Sequence, residues 1–124
     1  QLSRYFTTGG ARGRLEAGAE VSWDFHDFPG RFPVEVVEAD APRRIVIRWD
    51  AHECVAADGH TTVTFEFEPL DDTRTLVTIT ESSWQVTPKG AENAFGNCMG
   101  WTGMLAALKV WLEHGINLRE GFYA

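Results

Sequence analysis

Apolar and polar positions alternate along most of this chain and then, near its end, change period. Ala19, Val21, Trp23 and Phe25 alternate with Glu20, Ser22, Asp24 and His26, which predicts a half-buried strand. Phe28-Pro29-Gly30-Arg31 reads as a turn, and Phe32 to Glu38 as a second strand with Phe32, Val34 and Val36 on one side. After a turn at Asp40-Ala41-Pro42-Arg43, Ile45, Ile47 and Trp49 mark a third strand. A loop from Ala51 to Gly59 leads to a fourth, with Val63, Phe65 and Phe67 inward, and Pro69-Leu70-Asp71-Asp72 turns into a fifth carrying Val77 and Ile79. Such short, tight connections imply antiparallel hairpins with one solvated face.

Beyond Thr87-Pro88 the spacing becomes helical. At ~100° per residue, Cys98, Trp101, Met104, Leu105, Leu108, Trp111 and Leu112 fall in one broad arc. Pro88 suits a first turn, but Gly90 and Gly96 weaken it, so the regular helix is expected over about 91–114, with Gly115 as a left-handed stop. Lys109 and Glu113 form a small outer pair. Gly96, Gly100, Gly103 and Ala107 make a stripe of small residues beside the arc. Each helical Gly costs up to ~1 kcal/mol relative to Ala, so the stripe answers a steric need: close approach of another backbone, or room for a ligand or partner. A sheet over about 14–83 covered by one long helix is an α+β domain, spanning the whole of residues 1–124.

Composition narrows the function. Five Trp and eight Phe among 124 residues point to large planar surfaces, as in an aromatic core or an apolar ligand cavity. A net charge of −7 with scattered basic residues argues against nucleic acid and anionic membrane surfaces. No apolar run approaches ~20 residues, and Gln1-Leu2-Ser3-Arg4 lacks the pattern of a signal peptide. Cys54 and Cys98, without CxxC spacing, read as free thiols, so a reduced, cytoplasmic setting is expected. The Gly-rich loop Thr7–Gly13 fails as a phosphate cradle, since no Gly-Lys-Ser/Thr follows and a strand comes next.

The successive motifs Pro-Arg-Arg-Ile-Val-Ile-Arg-Trp, Thr-Val-Thr-Phe-Glu-Phe, Asp-Thr-Arg-Thr-Leu-Val-Thr-Ile-Thr-Glu and Gly-Trp-x-x-x-Leu-x-x-Leu-x-x-x-Leu-Glu-x-Gly resemble the START-like, or SRPBCC, superfamily. Within it the chain is most similar, from about residue 2 to 115, to the branch named for activators of heat-shock protein 90 ATPase. The resemblance implies a helix-grip fold: a curved antiparallel sheet around a long C-terminal helix, with an apolar cavity between. Such proteins begin with a strand and short helices before the equivalent of Arg4-Tyr5-Phe6; these are not in this sequence, and residues preceding it are expected.

On this reading Trp23, Phe25, Val34, Trp49, Phe65, Phe67 and Ile79 of the sheet, with Met99, Trp101 and Leu105 of the helix, line a cavity, unless they fill a solid core. Alternation carries Glu81 inward, where it would anchor a polar ligand group or serve as an acid or base; the simpler reading ends the strand first and leaves Glu81 at the wet rim. His26, His52, His60 and His114 are dispersed, and His52-Glu53-Cys54 has poor ligand geometry, so no metal and no cofactor is expected. Ser82-Ser83 has no legible triad partners. The leading expectation is a noncatalytic protein enclosing a hydrophobic small molecule. The alternatives are a co-chaperone contacting a heat-shock ATPase through its surface, and a cyclase or hydrolase using Glu81. Trp111, Phe122 and Tyr123 suggest a homodimer.

Overall fold

The computed structural model describes residues 1–51 and 55–122, with Pro29 described by its backbone alone. His52, Glu53, Cys54 and Tyr123 lie outside the described residues. After a short 3-10 turn at Leu2–Arg4 come six strands: β1 (Gly10–Arg12), β2 (Glu20–Phe25), β3 (Phe28–Asp40), β4 (Arg44–Asp50), β5 (His60–Pro69) and β6 (Thr75–Ser82). One helix, α1 (Pro88–His114), follows. The strands form a single antiparallel meander in sequence order. This is the antiparallel meander with one long helix that the alternation and the late change of period imply, and it agrees with the helix-grip fold that the resemblance implies.

The structure corrects the expected boundaries in three places. Gly10–Arg12, within the stretch expected as a loop, pairs with Asp24, Trp23 and Ser22 as an edge strand. Three residues are too short for alternation to show. The β2–β3 turn sits at His26-Asp27, not at Phe28–Arg31, because Phe25 pairs with Phe28 and closes a tight hairpin. α1 starts at Pro88 because Thr87 caps it, its Oγ accepting the Gly90 N–H at 3.0 Å. Gly90 is required there: a Cβ would lie 2.0 Å from the Gln85 carbonyl oxygen. At the other end Gly115 adopts φ 70° and closes the helix on the Trp111 carbonyl, as the sequence predicts.

Register shifts between Trp23 and Phe25, and between Val36 and Glu38, bend the sheet around α1. Val21, Trp23, Val34, Val36, Ile47 and Val63 from the sheet meet Trp101 and Met104 from the helix in one core. The buried helix face differs from the expected arc. Cys98 and Leu112 are exposed, while Ala107, assigned to the small-residue stripe, is fully buried. At ~100° per residue the face is rotated by roughly 40° towards the glycine side. That rotation follows from a hydrogen-bonding demand made by the sheet, described below.

Two glycine substitutions test this packing by urea denaturation. Gly90→Ala is expected to destabilise the protein by about 2 kcal/mol or more, since the clash is with backbone. Gly96→Ala, whose Cβ meets nothing within 4 Å, is expected to stabilise it by up to ~1 kcal/mol.

Candidate functional site

Glu81 lies on β6 opposite Val63, in phase with Val77 and Ile79, and points inward. The strand runs on to Ser82, so the rim position favoured by the simplest reading of the sequence is not the one adopted. Its carboxylate is the meeting point of four elements. Oε1 accepts from the Trp49 indole N–H (2.9 Å), the Thr61 hydroxyl (2.6 Å) and the Asn97 amide (3.1 Å). Oε2 accepts from the Trp101 indole N–H (2.8 Å) and again from Asn97 (3.1 Å). Trp49 and Thr61 face each other across β4 and β5, and the Trp49 N–H also donates to the Thr61 oxygen at 2.7 Å. Asn97 and Trp101 are one helical turn apart on α1. A half-buried carboxylate must find donors or lose its hydration uncompensated. Bringing Asn97 and Trp101 over it turns the helix away from the face that hydrophobic spacing alone selects.

The two indoles so anchored stack on each other, with centroids 5.2 Å apart and planes at 26°. Around them Phe6 meets Trp23 and Phe25 edge-on, Phe32 and Trp23 meet Trp49 edge-on, and Phe65 meets Trp101 edge-on. These geometries suit aromatic quadrupoles and resist collapse. Between sheet and helix they leave a cavity of about 740 Å³. Phe6, Phe25, Phe28, Phe32, Trp49, Trp84 and Trp101 line it, with Met99, Met104 and the backbones of Gly96 and Gly100. A Cβ on either glycine meets nothing within 4 Å, so of the two explanations for the stripe, open space applies to these two residues.

Charges at the cavity are matched in pairs. Arg119, buried, donates to both oxygens of Asp27 at 2.9 and 3.1 Å, fastening the segment after α1 to the β2–β3 turn. Arg31 lies 3.3 Å from Asp24, and His60 Nε2 3.0 Å from Asp50. Among the described residues three groups with displaced titration stand away from the cavity. Burial pushes the Tyr5 phenol up, the Arg74 and Thr73 hydrogen bonds hold Asp71 down, and the Lys109 ammonium holds Glu113 down. Among the described residues no cluster of three His, Cys, Asp or Glu is placed to hold a metal.

Of the residues expected at the cavity, Phe25 and Trp49 of the sheet and Met99 and Trp101 of the helix line it. Trp23 and Val34 are buried behind its wall, and Phe65, Ile79 and Leu105 pack against the core. Phe67 lines a smaller cavity of about 280 Å³ with Leu15 and Ile45, at the other end of β4 and β5. Glu81 stands behind the wall, bonded to four lining residues. Asn97 and Thr61 escaped the sequence reading, although an amide one turn before a core Trp was a usable signal. Phe6, in the turn-rich N-terminal stretch, and Arg119, in the tail, carry no periodicity that could have revealed them.

The family model described as Activator of Hsp90 ATPase homolog 1-like protein matches residues 1–113. A Staphylococcus saprophyticus protein, SSP2350, solved by structural genomics, is similar in fold, with a TM-score of 0.75 at 23% identity over 95% of this chain and 78% of that one. A Mesorhizobium loti protein, MLL2253, matches with a TM-score of 0.68 at 19% identity over 83% of this chain and 74% of that one. No curated protein matches the chain. Among the described residues no helix is long and apolar enough to cross a membrane.

Replacing Glu81 by Ala would leave two indole N–H groups, a hydroxyl and an amide without their acceptor. Glu81→Ala is expected to lose about 3 kcal/mol or more of stability in urea titrations and to flatten the near-UV circular dichroism of the indole pair. An unchanged near-UV spectrum would show that Glu81 does not hold the indoles.

Proposed function

The chain belongs to the Activator of Hsp90 ATPase homolog 1-like family, and from that premise we propose that it is a noncatalytic protein that encloses an apolar small molecule between sheet and helix. The observation that carries the reading is the cavity of about 740 Å³, open to solvent on the side of Phe28 and Met99 and lined largely by aromatic rings in fixed geometry. Its volume lies inside the usual range of ligand sites, roughly 300–1,000 Å³. Aromatic walls, beside which the lining arginines are paired with carboxylates, suit a molecule recognised largely by shape and burial, at about 25 cal/mol per Å² of apolar surface removed from water. Gly96 and Gly100 of α1 support the same reading, since each forgoes helix stability and leaves open space where it lines the cavity.

The enzymatic alternative loses its best candidate. Every oxygen lone pair that Glu81 directs into the structure is taken by a protein donor, so exchanging a proton with a ligand would first require breaking those bonds. The co-chaperone alternative draws support from Phe95 and Leu112, large apolar side chains left 75% and 68% exposed on α1.

Native mass spectrometry of the purified protein, followed by denaturation and extraction, separates these readings. A co-purified apolar molecule released on denaturation is the expected result. Gly100→Leu, which puts a side chain into the cavity from a position with free space, is expected to reduce retention of that molecule by tenfold or more, about 1.4 kcal/mol, without loss of fold. A folded Gly100→Leu variant that retains the molecule as well as the parent would overturn the assignment to this cavity.

A further inference from the structure

We propose that the molecule held in this cavity carries a cationic head of the ammonium class on an apolar or aromatic body. In this proposal Glu81 sets that preference through the indoles of Trp49 and Trp101. The inference rests on the binding reading above and narrows it to a ligand class.

The first step is the charge of Glu81. An indole Nε1–H and an amide N–H can only donate, and the Thr61 oxygen already receives the Trp49 N–H, which directs its own proton to Glu81. Both carboxylate oxygens therefore act as acceptors, the arrangement of an ionised group. The second step is its partners. All four are neutral, and among the described residues no Lys, Arg or His is ion-paired with Glu81. The arginines that line the cavity are matched instead to Asp24 and Asp27. The full negative charge thus stands behind a wall of aromatic rings instead of water, where its field is less screened than in bulk solvent.

The third step is how that field reaches a ligand. Glu81 itself is saturated with hydrogen bonds, and the side chains it binds stand between it and the cavity. Two of those are indoles that line the cavity, and Trp is the strongest of the aromatic platforms for a cation. Donation of each Nε1–H to a carboxylate pushes electron density into the ring, since bonded groups polarise one another in series. Two indoles polarised by one carboxylate attract an ammonium head and repel an anionic one. The net charge of −7 adds a long-range bias of the same sign.

The test uses three phenylbutyl compounds that share one body and differ in the head: trimethylammonium, hydroxyl and sulfonate. Binding to the full chain is followed by the indole ¹H–¹⁵N resonances of Trp49 and Trp101. The expected result is that the ammonium compound binds about tenfold tighter than the alcohol and the sulfonate weakest, with both indole resonances moving. In Glu81→Gln the ratio of ammonium to alcohol affinity is expected to fall towards one, whatever happens to either affinity alone. Alcohol or sulfonate binding as tightly as ammonium would overturn the cationic assignment while leaving the cavity's binding role intact. An ammonium preference that persists undiminished in Glu81→Gln would overturn the role of Glu81. Failure of all three compounds to bind would instead overturn the binding reading. Should Glu81→Gln fail to fold, the order of the three affinities in the parent protein decides the ligand class.

Discussion

A carboxylate drawn into the fold, with no cation paired to it among the described residues, organises this structure. Removing a carboxylate from water costs several kcal/mol unless hydrogen bonds replace its hydration. Glu81 obtains them from β4, β5 and α1 together, while itself belonging to β6. The demand is directional, unlike apolar burial. It fixes which turn of α1 crosses the sheet, which face of the helix is covered and how the two indoles are oriented. Apolar burial against Val34, Val36, Ile47 and Val63 has no such direction, whereas the donors Asn97 and Trp101 reach Glu81 from one face of the helix only.

The cavity follows from that constraint combined with the shape of aromatic side chains. Trp101 is held at its nitrogen and stacked on Trp49, so neither ring can tilt into the space beside them without abandoning a hydrogen bond. Phe25 and Phe32, stacked on each other at 5.8 Å, extend the wall towards the β2–β3 turn. Flexible side chains such as Leu or Met at these positions could collapse inward; fixed rings cannot. Gly96 and Gly100 of α1 also line the space and contribute backbone alone. The sheet's two bulges supply the curvature that keeps the walls apart. The space is therefore maintained by both layers.

How much of this could be read from the residues depends on the kind of force involved. Period-two alternation is a direct consequence of strand geometry, and it placed Val21, Trp23, Val34, Val36, Ile47, Val63 and Glu81 on the inner face. Caps are equally local, so Pro88 and Gly115 were legible as ends of the long helix. The helix face was legible only to within the width of an apolar arc. Cys98 and Leu112 fit that arc as well as Trp101, and what excludes them is a hydrogen-bond partner on another element, β6, which helical spacing does not register. Asn97 stayed hidden for the same reason. The edge strand Gly10–Arg12 forms because β2 offers it a free ladder, which three residues cannot announce. Division of the aromatics between cavity wall and core was also out of reach, since Trp23 and Phe25 share a strand face and a pattern.

The glycines show why fold and site must be argued together. Gly90 and Gly96 look alike in sequence, both early in the helix and both unfavourable to it. Around Gly90 the backbone of Gln85 closes in to 2.0 Å of where a Cβ would stand, so the residue is bound to the fold. Around Gly96, and again at Gly100, nothing occupies the equivalent volume, and that volume opens on the aromatic wall. A helix selected for stability alone would carry Ala at those two positions. Its absence on the side facing the indoles, in a helix otherwise well capped, is a stability concession located where a bound molecule would gain contact. The concession and the Glu81 network point to one design: the carboxylate sets the position and polarity of one wall, and the bare backbone of α1 leaves the room that this wall faces.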